Sequence, residues 1–570
     1  MDTSDASFSG GARPAPSASA VGATNGPPGF PGAAANGPAR RPGTAADAPG
    51  YKGRIFGRSV LDVRFRAYYG EDLVLGELLV GADPEHGRRY LFRITDVAYG
   101  SESSDDGWAE RTAGGLMAMD QAGERTDLRD LERRLYKVAK VSSLGYVGAD
   151  GLFHKPKSLP AQFGEVNAPA DDDLAFLRAQ MGDVEIGRLR SGEDAIDLPV
   201  GIRGETLPSH VGVFATTGMG KSNLMKVLAG QLLAAHGRYA LLLFDPHGEY
   251  LSGGGPPRKG LAHHPWAAER LRVYSPNARA GQASLLRLSL AELTVDDLRT
   301  AWKFSGPQSE ALESAYALLG DQGTWLKRLA EEEPEDLKDA ELGRHALATI
   351  QVLCRRARRI VRLPLMTEDP SQSLTGKVLG DLADGKVVLV DTSGLEAVEE
   401  TLVASMLTRS LLAERADAYR ADRDRFARLP RTLVALEEAQ RVLTRLDDAE
   451  FNVFPRLARE GRKFNVGLCA VTQQPKLIDP ELLSQFNTYF VLGLADERDR
   501  SILRSSSKQD LSDLGPEIQT LMPGEALVTN PEAPFALPTK VHYYEDWLHG
   551  VPEPEAAKAR PAGALQGFYD

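Results

Sequence analysis

The chain has 570 residues, with 67 basic and 79 acidic side chains, a formal net charge of −12, and two cysteines, Cys354 and Cys469. That length gives room for about two to four domains with full cores, and two cysteines so far apart exclude a disulfide framework and a four-cysteine zinc site. The acidic balance excludes a wholly basic nucleic-acid coat but not local basic patches, and with no bilayer-length apolar run and no basic-then-apolar leader, a cytoplasmic setting without membrane contact is expected.

Residues 1–50 are rich in Gly, Pro and Ala without a periodic apolar face, a composition expected to stay disordered. Short β-type runs follow at 54–61, 63–69, 73–80, 89–97 and 135–141, separated by glycines such as Gly57, Gly70, Gly76 and Gly81. They predict a small N-terminal β-barrel over 51–170. The Gly- and Asp-rich stretch 101–126 reads as a surface loop. From 171 to 540 strand and helix alternate. Apolar runs at 211–215, 239–244, 386–390, 432–436, 466–471 and 489–494 suit a parallel sheet covered on both faces, hence an α/β core. A charged helical insertion is expected over about 288–375. Residues 541–570, with Pro552, Pro554 and Pro561, read as an extended C-terminal arm.

The most specific signal is Ala215, Thr216, Thr217, Gly218, Met219, Gly220, Lys221 and Ser222, followed by Asn223. It is a Walker A loop with Ala in the first Gly position. A strand ends, glycines let backbone N–H groups curl around phosphate, and a helix begins with its positive end toward the same anion. Lys221 is expected at the β- and γ-phosphates of ATP and the Ser222 hydroxyl on Mg²⁺. No guanine-reading motif follows, which argues against a GTPase.

Four apolar residues then lead into Glu437 and Glu438, the form of a Walker B strand. Glu437 is the candidate for the Mg²⁺ shell and Glu438 for the base that deprotonates the attacking water. Gln473, after the next strand, is the candidate γ-phosphate sensor. Arg462 and Arg459 lie between these strands, where either could reach a neighbouring subunit's nucleotide. Asp245, after the second strand, is a candidate to approach the metal or the water. His247 has no second histidine at ligand spacing and reads as a packed loop residue.

Taken in order, these motifs resemble the HerA branch of the HerA/FtsK class of hexameric P-loop ATPases. The carrying stretches are 210–223, Asp245 to Tyr250, Glu437 to Gln440, Arg459 to Lys463, Thr472 to Pro475 and Pro523 to Ala526, and the resemblance covers about 51–545. Departures are Ala215, Met219, and Gln440, where that family typically has His. The resemblance implies a RecA-like ATPase core (171–540) behind a HAS-barrel-like domain. It also implies a homohexameric ring that moves duplex DNA through its pore and works with a NurA-type nuclease in DNA-end processing. The alternative is an ATP-dependent scaffold that regulates a nuclease or a NAD-consuming effector in phage defence.

DNA in such a pore would be held without sequence preference, by phosphate contacts that weaken with salt. Candidates are Arg258 and Lys259 after the second strand, and Arg441 and Arg445 after Walker B. The cluster Arg355, Arg356, Arg358, Arg359 and Arg362 spreads around a helix and reads as an intersubunit or solvated face.

Overall fold

The computed structural model describes residues 50–102, 107–123, 135–277, 283–320, 324–444 and 451–554. The tail at 1–49, Arg445 and residues 555–570 lie outside that set. In the N-terminal part, strands β1 (Tyr51–Ser59), β2 (Asp62–Tyr68), β3 (Leu78–Asp83) and β4 (Arg88–Ser101) are joined by β5 (Leu135–Val147), β6 (Phe153–His154) and β7 (Glu165–Asn167). They pair in the order β2-β1-β7-β3-β4-β5-β6, and a further β2–β5 pairing closes six of them into a barrel. The physical basis is visible in β2, where Val63, Phe65 and Ala67 turn inward while Arg64, Arg66 and Tyr68 face out. They pack with Ile55, Leu79, Phe92 and Val141.

Two local expectations are corrected here. The run at 73–80 is strand only from Leu78, because Gly76 takes a left-handed turn at φ +78°. The expected loop at 101–126 carries helix α1 (Trp108–Gln121), with none of its residues buried. Its Ala, Met, Leu, Glu and Gln content favours helix despite Gly114 and Gly115.

The rest of the chain builds a 12-stranded sheet. Its first strands are β8 (Val184–Ser191), β9 (Asp194–Ile202), β10 (Val211–Phe214), β11 (Tyr239–Asp245), β12 (Leu271–Ser275) and β13 (Ser284–Leu285). A separate parallel pair, β14 (Leu288–Ser289) with β15 (Met366–Thr367), clamps the base of the helical insertion. The sheet resumes with β16 (Val387–Asp391), β17 (Arg431–Leu436), β18 (Val466–Thr472), β19 (Thr488–Val491), β20 (Glu525–Thr529) and β21 (Leu537–Val541). Its order is β13-β12-β16-β11-β17-β18-β10-β19-β20-β21-β8-β9. Strands β13 through β19 are parallel, as the apolar runs predict. The flank from β20 to β9 is antiparallel and makes the sheet mixed, which the sequence reading did not anticipate.

Successive strand residues alternate between two apolar layers, which explains the continuous runs. Leu241, Leu243, Leu389, Leu433 and Val471 face one layer. Leu242, Phe244, Val388, Val434 and Leu468 face the other. Helix α2 (Lys221–Ala234) covers the first with Leu224, Val227, Leu228 and Leu232. On the second, the insertion helices α3 (Val295–Ala301), α4 (Gly306–Leu318), α5 (Thr324–Glu331), α6 (Pro334–Ala340) and α7 (Leu347–Val361) form the outer part, α3 resting on α9 (Ala397–Ala421), while α8 (Thr375–Ala383) lies directly against β11 and β16.

Within the arginine cluster on α7, Arg359 pairs with Glu396 and Glu399, Arg356 stacks on Phe304, and Arg358 donates to the Ala330 carbonyl. These three hold the insertion together and to its neighbours.

The barrel is joined to the core. Leu78, Val80 and Leu91 enter the first layer. Beside them Arg93 and Arg190 are both buried and share the buried carboxylate of Glu517. Arg93 also donates to the Ala536 carbonyl.

Residues 541–554, expected as part of an extended arm, instead lie on α2. Tyr544 and Leu548 are buried, and Lys226 pairs with Glu545 at 3.0 Å. The alternation of aromatic and charged residues there reflects docking on a helix, a long-range contact that the prolines obscure.

Candidate nucleotide site

One sheet edge collects the chemistry. Strand β10 ends at Phe214, the loop turns through left-handed Gly218 (φ +83°) and Gly220 (φ +99°), and α2 begins at Lys221. Those two dihedrals suit glycine because a Cβ would clash with the following carbonyl. The loop is pre-shaped by its neighbours: Ala215 N–H donates to Thr472 (3.3 Å) and Thr216 N–H to Gly493 (3.0 Å), while the Met219 carbonyl accepts from Gly524 (3.2 Å). The first-turn N–H groups of α2 have no acceptor inside the helix and point toward the loop's concavity.

Lys221 Nζ reaches only back to the Ala215 carbonyl, at 3.4 Å. Burial lowers its pKa, opposed by the nearby Glu437, Glu438 and Glu249. A half-buried ammonium facing three carboxylates across an open loop is suited to receive phosphate.

Strand β17 delivers Glu437 and Glu438 to the same edge, with only β18 standing between β17 and β10. Glu437 accepts the Tyr250 hydroxyl proton, and burial raises its pKa against the pull of that bond and of Lys221. This largely desolvated carboxylate would suit a divalent cation held jointly with the Ser222 hydroxyl.

Asp245 does something other than expected. Its carboxylate accepts the N–H groups of His247 (3.3 Å), Glu249 (3.2 Å) and Tyr250 (3.0 Å). It therefore organises the turn that aims Tyr250 at Glu437.

Glu438 sits in the left-handed region at φ +50°, a conformation costing a non-glycine residue about 1 to 2 kcal/mol. Its Oε1 accepts from Gln473 Nε2 at 3.4 Å and its Oε2 from Gln440 Nε2. Gln473 in turn accepts from the Thr217 hydroxyl, so a side-chain chain runs from the P-loop to the second carboxylate.

The family model described as "Helicase HerA, central domain" matches residues 184–411. The "DNA double-strand break repair helicase HerA" of Sulfolobus acidocaldarius is 26% identical over 405 residues, 70% of this chain and 77% of that one. Its namesake from Pyrococcus furiosus is 27% identical over 442 residues, 71% of this chain and 77% of that one. The chain is similar to the HerA helicases over its central domain and beyond it. It is a P-loop ATPase, and its α/β core with helical insertion and leading barrel is the architecture expected from the sequence. The solved structure of VirB4 from Thermoanaerobacter pseudethanolicus superposes with a TM-score of 0.41 at 16% identity, over 63% of this chain and 96% of that one.

In this chain the expected site residues divide into two groups. Thr216, Thr217, Gly218, Met219, Gly220, Lys221, Ser222, Glu437, Glu438 and Gln473 converge on one sheet edge. Asn223 adjoins them through its backbone only. Its side-chain amide donates to the His542 carbonyl (2.8 Å) and accepts from Tyr544 N–H (2.9 Å), pinning the C-terminal segment.

Arg459 and Arg462 are exposed at the opposite end of β18, about 20 Å from the P-loop edge for a strand of this length. Arg459 ends helix α10 (Val453–Glu460) and lies 3.7 Å from Glu481. Arg258 is exposed on the glycine-rich loop, and the Lys259 backbone is tied to Glu545 and Lys226. Arg441 pairs with Glu400 at 3.3 Å.

The sequence motifs did not single out Tyr250, Gln440 and Thr472 as working residues. Their signal was their place beside the motifs, but their partners lie on other strands.

Proposed function

We propose that this chain is an ATP-driven translocase that moves duplex DNA through the pore of a homohexameric ring, in concert with a NurA-type nuclease or another effector during DNA-end processing. The observation that carries this reading is the split site. Lys221, Glu437, Glu438 and Gln473 share one sheet edge, while Arg459 and Arg462 stand at the other, where they serve a neighbour's nucleotide. A ring of identical subunits placed head to tail supplies that neighbour. The relatives' printed names, double-strand break repair helicases, support DNA as the substrate that moves.

In this reading the P-loop N–H groups and Lys221 bind and orient the ATP phosphates. Ser222 and Glu437 would hold Mg²⁺, which when bound would offset phosphate charge. Glu438 takes the proton of the attacking water, and Gln473 reports on the γ-phosphate. An arginine from the adjacent subunit offsets charge developing in the transition state, an effect worth roughly 10³ to 10⁵ in rate in related cases. DNA is held by phosphate contacts from residues such as Arg258, so affinity falls steeply with salt. We place the protein in the cytoplasm. No described helix is long and apolar enough to cross a membrane, and both cysteines are buried and free.

The test is ATP turnover with and without linear duplex DNA. Lys221→Ala abolishes turnover, Glu438→Gln retains ATP without hydrolysing it, and DNA stimulates the wild type. Wild-type turnover by either variant overturns the site. Stimulation by an effector but not by DNA overturns translocation in favour of the scaffold.

A further inference from the structure

Glu438 is held from two directions, and the two contacts differ in kind. On one side the Gln473 carboxamide divides its reach between the Thr217 hydroxyl and Glu438, touching the carboxylate at 3.4 Å. On the other, Gln440 closes a directional series. Gln474 N–H donates to Thr472 Oγ1 (3.0 Å), the Thr472 hydroxyl donates to Gln440 Oε1 (2.6 Å), and Gln440 Nε2 donates to Glu438 Oε2.

Each partner in this series has one available role. Thr472 Oγ1 already accepts a backbone proton, so its hydroxyl hydrogen is free for Gln440. The carboxylate of Glu438 is acceptor-only when ionised. The group between them must accept on one side and donate on the other, which a carboxamide does and a carboxylate does not.

Thr472 is itself fixed, because its carbonyl receives the Ala215 N–H of the P-loop strand. Gln440 follows the left-handed residue Glu438 by two positions, in the short turn Ala439–Arg441. The turn closes back on itself through Arg441 N–H to the Glu438 carbonyl, at 2.9 Å.

We propose that Gln440 is the positioning residue for Glu438: it ties the carboxylate to the end of β18 through Thr472 and leaves Oε1 for the attacking water. The proposal rests on Glu438 being the general base. In that step Glu438 Oε1 accepts the water proton as the water oxygen bonds to the γ-phosphorus and the bridging P–O bond breaks toward ADP. The proton then passes to solvent. The Gln440 carboxamide is spent on Glu438 and Thr472, so its removal misplaces the base and spares binding.

The experiment compares the wild type with Gln440→Ala, the isosteric Gln440→Glu, Gln440→His, Thr472→Val and the Gln440→Ala/Thr472→Val double variant. Readouts are kcat, affinity for a fluorescent non-hydrolysable ATP analogue, and amide exchange of residues 438–443 in nucleotide-free protein. Gln440→Ala and Gln440→Glu lower kcat by about ten- to a hundredfold, the scale of a misplaced reacting group, while analogue affinity stays within about twofold.

Gln440→His recovers most of the loss because neutral imidazole can donate and accept at once. The double variant is no slower than Gln440→Ala alone, since both changes cut one series. Exchange at 438–443 accelerates in Gln440→Ala without nucleotide. Wild-type kcat in Gln440→Ala or Gln440→Glu overturns the proposal, as does a parallel loss of analogue affinity. If instead Glu438→Gln hydrolyses ATP normally, the assignment of the base fails and not its positioning.

Discussion

Replacing Glu517 with glutamine tests the joint between barrel and core. Arg93 is 1% exposed, Arg190 3% and Glu517 5%, so the two guanidinium groups and the carboxylate that both face are out of water. Arg190 donates to Oε1, and Arg93 lies 3.9 Å from Oε2. Burial and the proximity of Arg190 both depress the pKa of Arg93, while Glu517 opposes them. At an effective dielectric near 20, a pair about 4 Å apart is worth about 4 kcal/mol. Removing one member of a buried pair typically costs about 3 to 5 kcal/mol, because it strands the other charge.

Glutamine keeps the volume and one acceptor, which puts Glu517→Gln near the lower end, at about 3 kcal/mol. That corresponds to roughly a hundredfold increase in opening of the joint. Amide exchange along β4 and β8, with limited proteolysis between β7 and β8, reads this opening directly. Replacing Arg93, Arg190 and Glu517 together by Met, Met and Leu brings protection back to near wild type, since no charge is left buried. Wild-type protection in Glu517→Gln would refute the reasoning.

Other outcomes can be stated briefly. His210 and His264 are buried with pKa values held down to about 4, and His210 Nδ1 accepts Leu468 N–H at 2.9 Å. Because these values lie below the unfolded value of about 6.5, the folded state binds fewer protons. Their contribution is complete above about pH 6.5 and is lost as pH falls toward 4, at about 1.4 kcal/mol per pH unit for each histidine. A urea midpoint that does not change between pH 7.5 and 5 contradicts this. Tyr250→Phe removes the hydroxyl from Glu437, a bond to a charged group worth about 1.5 to 3 kcal/mol. It raises the Mg²⁺ needed for half-maximal turnover by about ten- to a hundredfold, and excess Mg²⁺ restores the rate. Arg462→Ala subunits, inactive alone, regain partial turnover when mixed with Lys221→Ala subunits; if no mixing ratio rescues, Arg462 is not the residue acting in trans. Asn223→Ala frees the 541–554 segment and costs about 1 to 3 kcal/mol, read as a lower melting temperature and earlier cleavage near Tyr544.

The P-loop strand, loop and helix were readable because glycine conformation, lysine charge and helix dipole act within a dozen neighbouring residues. Strands β11, β16, β17 and β18 were readable for a similar reason: burial on both faces forces long apolar runs. The antiparallel flank was not, because the β8–β9 hairpin mixes Glu, Arg and Asp with its apolar residues and joins the sheet only through β21. Strand β7, which bridges β1 and β3 in the barrel, and β6, which extends β5 outside it, have only three and two residues, too few to carry a period. Within the site, residue types announced the Walker groups, but not the division of labour. Asp245 looked like a metal-side acid and proves to be an anchor for its own turn. Gln440 departs from the family pattern, and only the adjacency of β17 and β18 shows what it touches.

The pairing of β8 with β21 also sets a timetable for synthesis. Leu189 aligns with Thr539, and Gly187 lies so close to the Lys540 backbone that a Cβ there would meet its carbonyl oxygen at 2.1 Å. At about 5 to 20 residues per second, tens of seconds separate the emergence of β8 from that of its partner. During that interval β8 presents unpaired N–H and C=O groups, the kind of edge that recruits other chains. The anchor for Arg93 at Ala536 arrives equally late. A nascent chain must therefore keep the joint between barrel and core open until β21 has emerged.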